Sequence, residues 1–537
     1  MKRFSAAAFA AVSFGIGVGA LTIPTPAAAQ KAGGILKIYG RDNPPSASIH
    51  EEATISVNMP FMAIFNNLVM FDPFKRRENL ESVIPELATK WAWSADNLSL
   101  TFELREGVKW HDGKPFTAAD VVCTFDMLTG KGPLAKDMRK NPRGVWYFNL
   151  EETKAEGDLK VTFKLKAPQP SFLVLLASGY SPIYPCHVAQ NIMRTKPIGT
   201  GPFKFAEFKR NESIRVVKNA DYWKKGQPYL DEIQWRIIEN RSTRVLAFQA
   251  GEFDLTFDSD IVLTLIDDMR AKAPKAVCDM RPTGVMTNLI INRAAPPFDN
   301  AKLREAFTLA LDRSQFNDII GKGKLKVGAA MLPVSEGAWG LPPDEIAKLP
   351  GYSPNLTANI EKAKKIMEGL GYSAAKPLKL KVSTRNISIY RDPAVILIDQ
   401  LKKIYIEGEL DVVDTTIWHA KVTRGDYAVG LNLTGIGVDD PDVNFVENYT
   451  CKSERNLTKY CNPKADELIF LQSRTVDLAK RRTIIAEIER ILVEDGARPI
   501  IYHDQGATCM QPHLKGLQMK ENGIYSTWRF DTVWLDK

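Results

Sequence analysis

The chain has 537 residues, too many for one compact hydrophobic core, so two or more domains are expected. Its 45% of hydrophobic and 25% of charged residues are ordinary for a soluble globular protein. The formal net charge of +8 is spread along the chain without a basic block interleaved with aromatic residues, so no nucleic-acid partner is expected.

The N-terminus has the pattern of a secretory signal peptide. Lys2 and Arg3 precede an apolar run over residues 6–21, and small residues at 27–29 offer a cleavage site after Ala29. The alternative is a membrane anchor, but the run is shorter than the roughly 20 residues that a spanning helix needs. No cysteine follows the cleavage site, so a lipid-anchored form is not expected. The mature protein is expected to be exported.

The first part of the mature chain alternates strand and helix patterns. Residues 35–38 predict a first strand, and the apolar run 58–71 predicts a helix. Alternating apolar residues at 99–104 predict another strand. Thr117, with Asp120 three residues later, predicts a capped helix.

The central segment, residues 197–240, begins with a tight turn rich in glycine and proline at 199–202. Three short alternating stretches follow, at 203–205, 214–216 and 233–237. These patterns predict half-buried strands in the core of a mixed α/β domain.

The second half shows the clearest α/β alternation, with helices predicted over 360–370 and from Asp392-Pro393 to 404, and strands over 378–382, 410–413 and 427–433. Arg385 is expected in the loop after a strand's carboxyl end, where ligands collect in open α/β sheets. Further helices are predicted from a cap at Ser242, from a cap at Asn300 and over 474–494, before a last strand at 499–502. Strands that belong together lie far apart in the sequence, which favours a discontinuous architecture.

Six cysteines reach an oxidising compartment, so disulfides are chemically allowed. Cys451 and Cys461 flank a short polar loop and are the expected pair, which contributes about 2–3 kcal/mol by loop entropy. Cys123 lies among apolar residues and is interpreted as a buried thiol. Three remain without an assigned partner: Cys186, Cys278 and Cys509.

Enzyme and metal motifs are absent from the sequence. It contains no GxSxG, HExxH or Walker pattern, and the six histidines lack metal-ligand spacing. His111-Asp112 is interpreted as turn chemistry because no nucleophile is suggested nearby. We therefore expect no catalytic residue, no metal site and no cofactor; a metal site assembled from distant loops is the alternative.

The residues present suit non-covalent capture of a polar organic molecule. Arg385 offers a planar fork for a carboxylate or phosphate. Trp418 and Tyr390 can supply flat walls, and Asp439 or Asp440 can receive an amine or hydroxyls. Alternatives stay open: Arg385 pairs with a neighbouring carboxylate, Trp418 belongs to the core, and Asp440 caps a helix.

Five ordered blocks resemble the extracellular solute-binding proteins of family 5, the peptide/nickel class that serves ABC importers. They are PELA at 85–88 with Trp93, FELREGVKWHDGKPFTAADV at 102–121, the central segment with GTGP and NADYW, FDNAKLREAFTLAL at 298–311, and the Cys451/Cys461 loop. The resemblance covers essentially the whole mature chain. It implies an α/β, two-lobed periplasmic binding protein (type II, cluster C) with an extra subdomain in lobe one and a two-segment hinge.

By this resemblance, lobe one comprises about 30–58, 196–286 and 509–537, its extra subdomain is 59–195, and lobe two is 287–508. The implied mechanism is hinge closure on a solute, followed by docking on an inner-membrane permease with its ATPases. The protein is expected to be a monomer. The implied cargo is a short peptide or a peptide-like or opine-like solute; a sugar conjugate, a metal chelate or, in another class, an exported hydrolase are the alternatives.

The resemblance also transfers candidate residues. Thr384-Arg385 is similar to the strand-end Ser-Arg of dipeptide binders, whose arginine holds the peptide carboxylate. Their amine-binding aspartate falls on Gly437 and their nearby tryptophan on Thr434, so Asp439 replaces the aspartate only if the loop is rearranged. In lobe one, the pocket-lining positions are Ser56 and Asn58.

Overall fold

The computed structural model describes residues 30–52, 54–139, 141–521 and 523–537. The expected signal peptide, residues 1–29, lies outside this part of the chain. Among the described residues, no helix has the length and apolar character required to cross a membrane.

The described residues form seventeen strands, several of them only two or three residues long. In chain order they are β1 (Ile35–Gly40), β2 (Val69–Phe71), β3 (Val83–Pro85), β4 (Ala88–Trp93), β5 (Ser99–Leu104), β6 (Leu150–Ala155), β7 (Lys160–Leu165), β8 (Phe203–Lys209), β9 (Ser213–Lys218), β10 (Glu232–Ile237), β11 (Val277–Ile291), β12 (Leu378–Arg385), β13 (Ile406–Val413), β14 (Val429–Gly435), β15 (Ile500–Met510), β16 (Leu514–Lys515) and β17 (Trp534–Leu535).

Fifteen α-helices accompany the strands in the same residues. They are α1 (Ile55–Phe61), α2 (Ala118–Leu128), α3 (Phe172–Ala177), α4 (Gln190–Met193), α5 (Arg241–Gln249), α6 (Ile266–Lys272), α7 (Ala301–Leu309), α8 (Arg313–Gly321), α9 (Pro343–Ile346), α10 (Leu356–Gly369), α11 (Ser388–Leu401), α12 (Thr415–Arg424), α13 (Pro441–Tyr449), α14 (Pro463–Arg474) and α15 (Leu478–Glu494).

The first lobe is built on a four-stranded sheet of order β1-β10-β9-β8. The strands predicted for the central segment are confirmed, and the N-terminal strand β1 joins them by pairing in parallel with β10. Residues 200–202 form a bend rather than a tight turn, and Gly199 and Gly201 lie against the backbone of Ile64. This pairing brings residues almost 200 positions apart into register, Ile35 opposite Glu232. The first lobe is therefore discontinuous in sequence.

A smaller antiparallel sheet of order β4-β5-β7-β6 forms the extra subdomain. Helix α2 packs on this sheet and begins at Thr117, whose side chain forms the predicted capping box with Asp120. The buried residues of the extra subdomain and of the first lobe form one continuous hydrophobic cluster. The two units therefore share a core.

The second lobe is built on a five-stranded sheet of order β13-β12-β14-β11-β15, with β12 parallel to both of its neighbours. Helices α7, α10 and α11 contribute to a separate hydrophobic core on this sheet. The predicted α/β alternation is confirmed. Arg385 is the last residue of β12, one position earlier than the predicted loop.

Four predicted helices differ from the observed ones. Helix α5 is capped by Asn240, so Ser242 lies inside it, and the helix predicted over 474–494 begins only at Leu478. The run 58–71 forms α1, a short 3-10 turn and strand β2 rather than one helix. Helix α11 begins at Ser388, so Asp392 and Pro393 lie inside it instead of at its start. Pro393 is the sixth residue of this helix, so it removes one backbone hydrogen bond from the helix interior.

Strands β11 and β15 run from one lobe into the other. Their outer halves pair around Cys278 and Cys509, next to bridges with the first-lobe residues Leu255 and Ile261. Their inner halves belong to the second-lobe sheet. Between the halves, the pairing shifts across a bulge from Pro282 to Met286. A bulge interrupts the ladder and bends the strand, so this position suits a hinge.

All six cysteines are paired. The predicted bond between Cys451 and Cys461 is confirmed. The interpretation of Cys123 as a buried thiol is wrong, because Cys123 is bonded to Cys186. The third bond joins Cys278 of β11 to Cys509 of β15.

Candidate functional site

A cavity of about 800 Å³ lies between the two lobes. The first lobe and the extra subdomain line one side, mainly through Arg41, Glu51, Glu52, Thr54, Arg139, Phe257, Asp258 and Ser259. The second lobe lines the other, mainly through Arg385, Tyr390, His419, Asn432, Arg455, Tyr502 and Asp504, and Tyr525 of the C-terminal segment reaches the same space. Six arginines and six carboxylic acids border the cavity, so it selects neither anions nor cations by net charge alone.

Arg385 borders the cavity but is almost fully buried and already paired with a carboxylate of the first lobe. Its Nη2 lies 2.5 Å from Oδ2 of Asp42 in the first lobe. Its Nη1 donates to the Tyr390 hydroxyl at 2.8 Å, and Nε donates to Thr415 Oγ1 at 3.1 Å. The anticipated alternative, an ion pair with a protein carboxylate, is therefore present. The pair joins the two lobes.

The electrostatics of Asp42 depend on this pairing. Burial on its own raises the pKa of the Asp42 carboxyl, but the charges of Arg385 and Arg41 and a hydrogen bond from Ser56 outweigh it and hold the pKa below its usual value. Asp42 is therefore ionised at neutral pH and attracts Arg385.

The carboxylates on the first-lobe side of the cavity are also paired. Arg194 binds Glu51 through Nη2 and Nε, at 2.7 and 2.8 Å. Arg139 of the extra subdomain contacts Glu52 at 2.8 Å and Glu51 at 3.4 Å. These ion pairs fix the loop before α1 to the extra subdomain, so both carboxylates are held in place before a solute arrives.

Asp504 differs from these carboxylates because no lysine or arginine of the described residues pairs with it. It lies on β15, where its Oδ2 accepts a hydrogen bond from Thr287 Oγ1 at 3.0 Å. Burial raises the pKa of Asp504 to about 8. The carboxyl is therefore largely protonated at neutral pH while the cavity holds no cation.

Replacing Asp504 by asparagine is expected to stabilise the ligand-free protein more as the pH rises. The folded-state pKa of Asp504 lies above its unfolded value, so this group's contribution to stability is full near pH 4 and is lost as the pH rises towards 8. We expect the variant to exceed the wild type by at least about 1.4 kcal/mol in free energy of unfolding at pH 8, the equivalent of one pKa unit. Urea unfolding from pH 5 to pH 8 measures this, and a constant difference across the range would contradict it.

Three of the sequence candidates lie beside the cavity rather than on its lining. Trp418 is fully buried in a small core with Ile290, Val413, Val422 and Tyr427, and the next residue, His419, borders the cavity instead. Thr434 is buried too, and it binds the side chains of Asn288 and Arg498 at 2.9 Å. A Cβ added to Gly437 would lie 3.1 Å from the ring of Tyr525. A side chain at 437 therefore requires Tyr525 to shift by a few tenths of an ångström.

The acidic candidates of the 434–442 loop have structural partners. Asp439 accepts a backbone hydrogen bond from Ala338, and burial raises the pKa of Asp439 to about 6. Asp440 caps α13 and forms a two-point ion pair with Arg481 at 2.9 and 3.1 Å. The anticipated alternative of a helix cap is therefore observed at Asp440.

The first-lobe candidates support the cavity from behind. The Ser56 hydroxyl donates to Asp42, the partner of Arg385. The Asn58 amide is fully buried and donates to the carbonyl of Gly179 at 2.9 Å. Of the residues that the sequence analysis proposed for the site, Arg385 and Tyr390 are part of the cavity lining.

Sequence analysis missed Asp504, Tyr502 and the Glu51–Glu52 pair. Tyr502 and Asp504 are two residues apart, the spacing that places strand side chains on one face. An acidic residue two positions after a predicted core strand, in the stretch YHDQG, was the available signal. Among the described residues, no group of three or more histidine, cysteine, aspartate and glutamate side chains has metal-site geometry.

Further contacts join the lobes. Trp146 Nε1 of the extra subdomain donates to Glu447 of the second lobe at 2.9 Å. Arg241 contacts Asp392 at 3.4 Å, and Ser171 donates to the buried carboxylate of Asp442. Each of these contacts joins the first lobe or its extra subdomain to the second lobe. The structure therefore has the lobes in a closed arrangement.

The sequence and the fold match known proteins. Residues 82–456 match the family described as bacterial extracellular solute-binding proteins, family 5 Middle. The chain is 28% identical over 467 residues to the oligopeptide-binding protein AppA of Bacillus subtilis, with 82% of this chain and 81% of that protein covered.

Two solved structures share the two-lobed fold. The OppA protein of Haemophilus influenzae, solved with the peptide RPPGFSPFR, has a TM-score of 0.83 at 21% identity, and the match covers 95% of this chain and all of that one. The AgaA protein of A. tumefaciens R10, solved with agropinic acid, has a TM-score of 0.78 at 24% identity, with coverage of 94% and 99%.

Proposed function

The chain belongs to the bacterial extracellular solute-binding proteins of family 5, and on this premise we propose that it captures a short peptide or a peptide-like or opine-like solute for an ABC importer. The solute binds between the lobes, and the closed complex delivers it to a membrane permease. The observation that carries this proposal is the 800 Å³ cavity that residues of both lobes line, next to the ion pair that joins Asp42 of the first lobe to Arg385 of the second.

The cavity suits a small polar solute in size and in chemistry. Its volume lies within the range of about 300–1,000 Å³ typical of small-molecule sites. Arginines, carboxyl groups and the aromatic rings of Tyr390, Phe257 and Tyr525 share the lining. A solute that carries both signs of charge, such as a peptide or an opine, meets matching groups on both lobes. The relatives whose names record a peptide or agropinic acid support this class of cargo.

Closure requires that the solute bind the closed arrangement better than the open one. Reversing a 1:99 preference takes on the order of 5.5 kcal/mol of differential binding. Groups from both lobes reach the cavity, so a solute gains its full set of contacts only after closure. The strand bulge from Pro282 to Met286 is the proposed bending point, close to the predicted lobe boundary at 286.

The remaining properties follow from the same premise. The protein works in the periplasm after removal of the signal peptide, as a monomer, and it performs no bond-making chemistry of its own. Its partners are the solute and an inner-membrane permease with its ATPases. The lobe boundaries given in the sequence analysis are part of this proposal.

Mass spectrometry of the solute that co-purifies after gentle extraction tests the proposed cargo directly. Binding is then tested by a thermal-shift screen with dipeptide, tripeptide and opine libraries, on protein from which the co-purifying solute has been removed. Saturable stabilisation by members of these libraries is the expected result. If none of them stabilises the protein while sugar conjugates or metal chelates do, the cargo class is wrong.

Replacing Trp146 by phenylalanine is expected to loosen the closed arrangement. The indole N–H donates to the buried carboxylate of Glu447 across the lobe interface, and a hydrogen bond to a charged group contributes about 1.5–3 kcal/mol. Phenylalanine keeps most of the apolar contact and removes the donor. Small-angle scattering is expected to give a larger radius of gyration for the ligand-free variant. Tyr229→Phe, which changes an exposed hydroxyl of the first lobe, serves as the control.

A further inference from the structure

The second-lobe wall of the cavity holds two buried polar groups on one strand face. Tyr502 and Asp504 both line the cavity, and they are two residues apart on β15. Each is no more than 9% exposed. Among the described residues, the Tyr502 hydroxyl makes no hydrogen bond of standard geometry, and the side chain of Thr287 is the polar group that interacts with it. These groups therefore have free hydrogen-bonding capacity directed at the same space.

Asp504 lacks the counter-charge that other cavity carboxylates have. Asp258 is paired with Arg281 at 2.7 Å, and Asp392 with Arg241 at 3.4 Å. Among the described residues, the recorded side-chain partner of Asp504 is the neutral hydroxyl of Thr287. A buried carboxyl group without a cation is costly in free energy. A group that arrives with the solute can remove this cost.

We propose that Asp504 and Tyr502 form a subsite for a cationic group of the solute, an ammonium or a guanidinium. This assignment rests on the proposed solute-binding function and specifies one end of the cargo. The Asp504 carboxylate accepts hydrogen bonds from the cation's N–H groups, and the Tyr502 oxygen accepts another. Thr287 holds the carboxylate from its other side.

The position of the subsite connects the cation to closure. Thr283, within the bulge of β11, donates to the backbone carbonyl of Asp504 at 3.2 Å. Asp504 therefore lies directly opposite the proposed bending point, where the two crossing strands change register. Asp258 and Ser259 of the first lobe line the cavity as well. A cation held by Asp504 thus binds at the junction of the two lobes.

Small cations test the subsite without knowledge of the natural cargo. n-Butylammonium chloride and methylguanidinium chloride are titrated into the stripped, full mature protein, with sodium chloride at matched ionic strength as the reference. We expect saturable stabilisation by one or both cations, and the more effective cation identifies the source as an ammonium or a guanidinium. In Asp504→Asn the apparent dissociation constant for the more effective cation is expected to rise at least about tenfold, because the variant loses one hydrogen bond to a charged group.

The matched control is Asp399→Asn, which removes the same charge from an exposed position of α11 outside the cavity lining. It is expected to bind both cations like the wild type. Tyr502→Phe, a second variant, is expected to weaken binding while keeping the ring in the core. Equal binding by the wild type and Asp504→Asn, or no saturable effect in the wild type at concentrations on the order of 0.1 M, would overturn the subsite.

The test of the subsite can fail or succeed independently of the test of the proposed cargo class. If butylammonium binds through Asp504 and no peptide or opine binds, the subsite stands and the cargo class fails. If peptides bind the wild type and Asp504→Asn with equal affinity and the small cations do not bind, the cargo class stands and the subsite fails. The asparagine variant is expected to fold, because it removes a buried ionisable group that lacks a charged partner.

Discussion

Replacing Arg385 by alanine is expected to disfavour the closed arrangement of the lobes by about 3–5 kcal/mol, the usual cost of breaking a buried ion pair. The guanidinium is 3% exposed and lies 2.5 Å from Asp42, which is 8% exposed. Without it, the Asp42 carboxylate keeps the Ser56 hydroxyl and a distant contact with Arg41 at 3.9 Å. Opening the lobes returns Asp42 to water, so the variant is expected to open before it unfolds. Small-angle scattering of the ligand-free variant measures the change.

Two further measurements decide whether the pair causes the effect. Removing both charges with Asp42→Leu and Arg385→Met is expected to restore most of the closed population, because no buried charge then lacks a partner. Lowering the pH is expected to reduce the difference in closed population between Arg385→Ala and the wild type. The pair holds the pKa of Asp42 low, so its contribution is present above the carboxyl's ordinary pKa and is lost as the pH falls below it. Identical scattering profiles of the wild type and Arg385→Ala would remove Arg385 from the closure mechanism.

Removing the bond between Cys278 and Cys509 is expected to lower the free energy of unfolding by about 5 kcal/mol. The two cysteines are 231 positions apart, and the loop-entropy relation gives about 5 kcal/mol for a loop of this length. The bond joins directly opposed residues of β11 and β15, the two strands that cross between the lobes. Urea unfolding of Cys278→Ser/Cys509→Ser under oxidising conditions measures the loss.

The bond between Cys451 and Cys461 provides a matched comparison. It spans only 10 positions, so its removal is expected to cost about 2–3 kcal/mol by the same relation. Both double variants, this one being Cys451→Ser/Cys461→Ser, remove one disulfide and introduce two serines. They differ in loop length and in burial, since Cys509 is fully buried and Cys461 is exposed. Equal losses in the two variants would show that loop length does not govern the stabilisation, and that local packing does.

Helices and strands with strong local signals could be predicted from the sequence. The capping box from Thr117 to Asp120 and the cap at Asn300 depend on side chains that bind backbone within three residues, so the sequence contains the whole interaction. The Cys451–Cys461 pair is likewise closed by a short loop. The run 58–71 was misjudged because its apolar residues are buried on all sides, and periodicity cannot then separate a helix from a turn and a strand.

The candidate site was predictable only in part. Arg385 borders the cavity at the carboxyl end of β12, the edge where ligands collect in an α/β sheet, and its contact with a ligand stays a prediction. Its partner Asp42 is 343 positions away, and no local pattern links the two. Trp418 and His419 are neighbours on one helix, and only the packing of α12 decides which of them faces the cavity.

The sequence by itself determined the family, the two-lobed α/β class and most of the regular elements, because these depend on patterns within single segments and on motifs of fixed spacing. The tertiary structure alone decided that Cys278 meets Cys509, that Asp42 neutralises Arg385, and that Asp504 faces the cavity without a counter-charge. The physical reason is that these contacts join strands and loops from distant parts of the chain. Which side chains meet there depends on how two lobes close around the crossing strands, and no local periodicity records that geometry.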